Sequence, residues 1–286
     1  MRTAYFVTFT LLVASASIMV AVDRSPSNGH ETVVVPSGTL RLKAFLWKPA
    51  GSGPFPAVLF NHGSGGIDAA HTGGFAITAA AKKLGPTFAK YGYAFLYLFR
   101  RGQGLSADQG PFMREILDRE KRAKGEEARN HLQFVLLTTD HLDDVTAALS
   151  FLKSLHGVDA RRIAVMGHSS GGQLTLLAAE RDSTLRAAVT FSAVARSWES
   201  SPEIRERMLS AVRKTTVPLM LLHAANDYSV VPGHAMAHEL ASLAKPHFLK
   251  IYPPVGKTPG DGHNFVYSAI DQWEDDVFRF LGEHVR

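Results

Sequence analysis

The chain contains no cysteine. That absence excludes disulfides, thiolate nucleophiles, iron–sulfur clusters and cysteine-ligated zinc, and it leaves stability to core packing. Charge of either sign is in no great excess: 31 basic against 26 acidic side chains leave +5 over 286 residues. A nucleic-acid binder concentrates its basic residues and places aromatics among them. The densest basic stretch here, residues 114–129, interleaves Glu115, Asp118, Glu120, Glu126 and Glu127, the pattern of a solvated helical face. Beyond residue 22 no apolar run is long enough to cross a bilayer. His234 and His238 stand one helical turn apart, but no third ligand accompanies them, so no metal site is expected. No motif calls for a cofactor.

What is present suffices for one large core. Hydrophobic residues make up 45% of the chain, and α/β folds of this length commonly form one domain. Arg2 is followed by the nearly continuous apolar stretch 4–22, which contains the small-x-small pattern Ala14-Ser15-Ala16 and ends at Ala21 and Asp23. Residues 1–23 therefore read as a secretory signal peptide, with an uncleaved membrane anchor as the alternative. Either reading puts residues 24–286 outside the cytoplasm, in the periplasm or the medium.

Residues 32–36 and 40–47 alternate and are rich in β-formers, and Ser37-Gly38 between them predicts an antiparallel hairpin. Residues 57–61 and 93–99 are short continuous apolar runs, as in strands buried on both faces. Beyond them strand-like and helix-like stretches alternate: helices over 82–91, 142–155, 173–179, 235–243 and 270–284, strands over 162–166, 187–191, 217–223 and 248–252. That alternation predicts a parallel sheet covered on both faces. Residues 107–137 are too long for a plain strand-to-helix connection; they read as a surface excursion or a flap over a site. Residues 195–213 form a second, smaller excursion.

Gly167-His168-Ser169-Ser170-Gly171 matches G-x-S-x-G. Chance yields roughly 0.1 such matches in a chain this long, so the motif alone is weak. Its context strengthens it, because a strand directly precedes it and a helix directly follows. The sharp turn that raises a serine hydroxyl above a sheet demands glycine where Gly167 and Gly171 stand. It also places Ser169 at a helix N-terminus, where the Ser170 N–H is free to stabilise an oxyanion. In this arrangement an acid and then a histidine follow in the chain. Asp227, just after the 217–223 strand, is the expected acid; Glu239 and Asp261 are the alternatives. His263, in a glycine-flanked loop after the last strand, is the expected base. His263 would take the Ser169 proton, and Asp227 would fix the imidazole tautomer. The glycine-rich turn His62-Gly63-Ser64-Gly65-Gly66 is expected to supply a second oxyanion donor, from the Ser64 N–H or that of Gly63. Arg100 and Arg101 follow a strand end on the side where ligands bind, and are candidates to grip an acidic substrate group. Trp198, Tyr228, Phe112 and Phe265 are candidate pocket walls.

With these residues placed, the chain resembles the dienelactone hydrolase-like branch of the α/β-hydrolases and the catalytic domain of prolyl oligopeptidase-type serine peptidases. The matching pieces are the 62–66 turn, Arg100-Arg101-Gly102-Gln103-Gly104, Gly167-His168-Ser169-Ser170-Gly171-Gly172, Asn226-Asp227 and Gly262-His263. The resemblance implies a mostly parallel eight-stranded sheet with an N-terminal antiparallel hairpin and helices on both faces. There are two departures. Dienelactone hydrolases proper use a cysteine nucleophile where this chain has Ser169, and the stretch before residue 32 is too short for the peptidases' propeller. Cleavage of a small ester through an acyl-enzyme is the leading expectation. Hydrolysis of a short peptide by the same groups is the alternative, and a non-catalytic binding protein on the same scaffold the remote one.

Overall fold

The structure, a computed structural model, describes residues 29–64 and 76–286. The expected signal segment 1–23 and two glycines of the 62–66 turn, Gly65 and Gly66, lie outside the described residues. The strands are β1 (Glu31–Ser37), β2 (Leu40–Trp47), β3 (Phe55–Asn61), β4 (Ala94–Leu98), β5 (Val158–His168), β6 (Ala187–Phe191), β7 (Leu219–Ala224) and β8 (His247–Tyr252). The helices are α1 (Ile77–Lys90), α2 (Met113–Lys124), α3 (Glu126–Thr138), α4 (Asp140–Ser154), α5 (Ser170–Arg181), α6 (Pro202–Lys214), α7 (Val231–Ser242), α8 (Pro259–His263), α9 (Phe265–Ser268) and α10 (Ile270–His284).

The described strands form one sheet in the order β1-β2-β4-β3-β5-β6-β7-β8. β1 and β2 run antiparallel, β2 meets β4 antiparallel, and every later pairing is parallel. This is the α/β-hydrolase architecture. The hairpin turn falls at Gly38-Thr39, one residue later than expected, with Gly38 at φ 58° and Ser37 paired to Leu40. Central strands are continuous apolar runs because both of their faces are covered. Ala57 and Leu59 of β3 join a core with α4, α5, α6 and α7, while Val58 and Phe60 join the opposite core with α1 and α10. β4 and β7 alternate likewise, Leu96 and Leu221 to the first side, Phe95 and Met220 to the second. Each fully buried side chain of this kind contributes roughly 1.5–3 kcal/mol.

The 107–137 stretch is largely helical. A 3₁₀ turn at Gly104–Gln109 leads into α2 and α3, which meet at Gly125 (φ 93°). The apolar-rich residues 132–137 form the second half of α3.

Candidate active site

β5 ends at His168 and α5 begins at Ser170, leaving Ser169 between them at φ 56°, ψ −120°. That backbone region is uncommon for a side chain larger than hydrogen and costs on the order of 1–3 kcal/mol. Two hydrogen bonds hold it there: Ser169 N–H to the Phe191 carbonyl (2.9 Å) and Gln173 N–H to the Ser169 carbonyl (3.1 Å). The flanking glycines are required by contact. A Cβ on Gly167 would fall 2.3 Å from the Gly171 oxygen, and one on Gly171 would fall 2.0 Å from the Asn61 oxygen.

Asp227 lies in the turn after β7, its N–H bonded to the Ala224 carbonyl at 3.0 Å. Its Oδ1 accepts from His263 Nδ1 (2.7 Å) and from the Tyr228 N–H (2.7 Å). His263 Nε2 lies 2.9 Å from Ser169 Oγ. With the proton on Nδ1, Nε2 carries the lone pair that faces the serine hydroxyl. Burial alone pushes the Asp227 carboxyl up, but hydrogen bonds from His223 and His263 outweigh it and hold the group well below the usual carboxylate range. Ser169, His263 and Asp227 thus form a continuous hydrogen-bonded line.

His263 sits on a short helix, α8, and not in the open loop expected. A capping box opens that helix: Asp261 N–H bonds Thr258 Oγ1 (3.1 Å), and Asp261 Oδ2 accepts from the Thr258 N–H (2.9 Å). Asp261 is thereby committed away from His263. The other alternative acid, Glu239, pairs with Arg213 at 2.6 Å on α7. Asn226 stitches the Asp227 turn to the His263 segment, donating to the Val255 (2.8 Å) and Thr258 (3.0 Å) carbonyls. Gly262 permits this approach, since a Cβ there would fall 2.4 Å from Asn226 Oδ1. His168 Nε2 donates to the His263 carbonyl at 2.8 Å. Burial, with His263 nearby, lowers the His168 pKa to about 3, so its ring is neutral. Neither Asn226 nor His168 carries a sequence signal beyond lying inside a matched motif.

A cavity of about 650 Å³ opens over Ser169. Gly63, Ser64 and Ser170 line it beside the serine, and a Cβ on Gly63 would fall 3.3 Å from Ser169 Cβ. Its outer wall is charged: Arg114, Lys121, Arg129 and Arg196 against Asp118 and Glu126, most of them from α2 and α3. The segment after β6 supplies Arg196, and its backbone holds Ser192 at φ 54° and Val194 at φ 64°.

Five of the expected substrate contacts are corrected. Arg100 is buried to 1% exposure beneath His62, its guanidinium lowered to about 10 by that burial. Arg101 turns away to Asp144, its Nη2 2.8 Å from Oδ1 and its Nε 3.0 Å from Oδ2. A buried carboxylate must be paired, and Asp144, fully buried, is the demand that claims Arg101. Trp198 and Phe265 are core residues on opposite faces of the sheet. Phe112 is buried just ahead of α2, outside the cavity wall. Tyr228 stays by the site, edge-on to His263 at 5.2 Å with the Arg196 guanidinium over its ring at 4.5 Å.

The model of the dienelactone hydrolase family matches residues 42–275. The chain belongs to the dienelactone hydrolase family. It is 25% identical over 224 residues to the quorum-quenching protein AidA of Acinetobacter baumannii, covering 78% of this chain and 57% of that one. Solved relatives share the fold. A dienelactone hydrolase from Anabaena variabilis superposes with a TM-score of 0.60 at 18% identity, covering 90% of this chain and 99% of that one. An acylaminoacyl peptidase from Pyrococcus horikoshii superposes with a TM-score of 0.63 at 17% identity, covering 89% of this chain but only 41% of the peptidase. The chain thus spans little more than half of AidA and about two-fifths of the peptidase.

Proposed function

We propose that this family member is a serine hydrolase that cleaves carboxylic esters through an acyl-Ser169 intermediate. The observation that carries the reading is the hydrogen-bonded line from Asp227 through His263 to Ser169. Ser169 Oγ attacks the ester carbonyl while His263 Nε2 takes its proton. Asp227 fixes the Nδ1–H tautomer and stabilises the imidazolium. The tetrahedral oxyanion is met by the Ser170 N–H and by the Ser64 or Gly63 N–H, each worth about 10²–10³ in rate. His263 then protonates the departing alcohol, and water repeats the sequence to release the acid and free Ser169. Export from the cytoplasm by the 1–23 segment belongs to the same proposal.

The substrate is a small polar ester. The charged cavity wall formed by α2, α3 and Arg196 suits a polar group better than a long alkyl chain. The test is hydrolysis of p-nitrophenyl acetate, butyrate and octanoate, a lactone, and matched peptide anilides, with the parent and Ser169→Ala side by side. Activity on the short esters, abolished by Ser169→Ala, supports the proposal. Turnover confined to peptide anilides replaces it with the peptidase reading. No turnover on any substrate by a folded parent refutes both.

A further inference from the structure

His223 has no part in the chemistry described above, yet it is tied to it. It lies near the end of β7, is fully buried, and presents Nδ1 to Asp227 Oδ2 at 3.1 Å. Its other nitrogen, Nε2, is buried with no hydrogen-bond partner. An orphaned buried nitrogen is destabilising, whereas a hydrocarbon of similar shape would fill the space without that cost. The single bond to Asp227 is therefore the interaction that explains a histidine here. The α7 backbone closes over the ring through Gly233, where a Cβ would fall 2.8 Å from His223 Cδ2 and 3.0 Å from Nε2.

Oδ1 of Asp227 already holds His263 and the Tyr228 N–H, so Oδ2 is the oxygen that sets the rotation of the carboxylate. We infer that His223 is the positioning residue for Asp227: its Nδ1–H pins Oδ2 and so holds Oδ1 against His263. The catalytic consequence rests on the serine-hydrolase reading; the geometric one does not. The titratable side chains that bear on Asp227 are His223 and His263, with the neutral His168 ring next to His263.

The experiment compares His223→Leu, which removes the donor, with His223→Asn, whose amide can restore an N–H to Oδ2. Two readouts are taken. The first is the downfield Nδ1–H proton resonance of His263 in the resting protein, assigned by its loss in His263→Gln. His223→Leu should broaden or shift it, and His223→Asn should bring it back. The second is turnover of p-nitrophenyl acetate. Complete loss of a triad acid's function costs about 10⁴, and misplacing a catalytic group by about 1 Å costs about 10². His223→Leu should therefore lower kcat by about 10- to 100-fold with KM unchanged. His223→Asn should recover most of that loss. Adding His223→Leu to Asp227→Asn should change kcat no further. An unaltered His263 resonance and kcat in His223→Leu would overturn the inference. So would an equal kcat loss in the Asp227→Asn background, because a purely structural effect would not depend on the acid. If the parent turns over neither ester nor peptide anilide, the serine-hydrolase reading falls, and the resonance still decides the role of His223.

Discussion

Gly171 is the point where the Ser169 turn meets the end of β3. In an exposed helix, Gly→Ala is favourable by about 1 kcal/mol. At this position an added Cβ would fall 2.0 Å from the Asn61 oxygen and 2.5 Å from both the Asn61 carbonyl carbon and the His62 oxygen. The carbon–carbon contact is about 1 Å short of the roughly 3.5 Å at which carbons pack. All three atoms are backbone, at the end of β3, so no side chain can swing aside. Either the β3 end or the start of α5 must move by about that distance. The overpacking cost of about 1–3 kcal/mol, occasionally more, exceeds the propensity gain. A net loss near 1–2 kcal/mol lowers Tm by several degrees in a chain of this size. The same movement separates Gly63 from Ser169, and about 1 Å at a reacting centre costs about 10² in rate. Gly171→Ala should therefore lose both stability and kcat/KM, measured by thermal unfolding and p-nitrophenyl acetate hydrolysis. A variant with Tm within about a degree of the parent and kcat/KM within about twofold would refute the close approach and the turn geometry at Ser169 built on it.

Other expectations follow from the same structure. Arg101→Met leaves the buried Asp144 carboxylate without its cation, so it should destabilise the protein by roughly 3 kcal/mol in urea unfolding while leaving KM for esters unchanged. His141 and His168 are buried with pKa lowered to about 3 by desolvation, against 6.5 unfolded. Between those values the unfolded chain binds the extra protons, so stability should fall as pH drops from about 6.5 toward 3, by at most about 1.4 kcal/mol per pH unit for each ring. Urea midpoints measured against pH should show that slope, reduced by one proton in His141→Phe and absent above about pH 7. Asp227→Ala should lower kcat by about 10⁴ while Asp261→Ala, which removes only the cap of α8, should change stability by about 1 kcal/mol and kcat far less. The reverse order in ester turnover would assign the acid wrongly.

The central strands were legible because β3, β4 and β7 are continuous apolar runs with no competing helical period. The order of Ser169, Asp227 and His263 was legible because each follows a strand end. The short helix bearing His263 was not, because Gly260 and Gly262 lower helix propensity and only the Thr258–Asp261 capping pair marks its start. α2 carries Met113, Ile116 and Leu117 at helical spacing, so the helix is legible, but no local pattern shows that its charged face joins the cavity wall. The fate of Arg101 depended on a carboxylate 43 residues away, which no local pattern reveals. His168 looked like any other histidine because its partner carbonyl, on His263, lies 95 residues away, and His223 because spacing alone does not show its Nδ1 meeting the Asp227 carboxylate.

The most direct measurement is mass-spectrometric mapping of the protein after reaction with a fluorophosphonate. The account predicts a single phosphonyl adduct on Ser169, lost in Ser169→Ala and formed far more slowly in His263→Ala. An adduct on another residue, or ester hydrolysis that continues undiminished in Ser169→Ala, would contradict it.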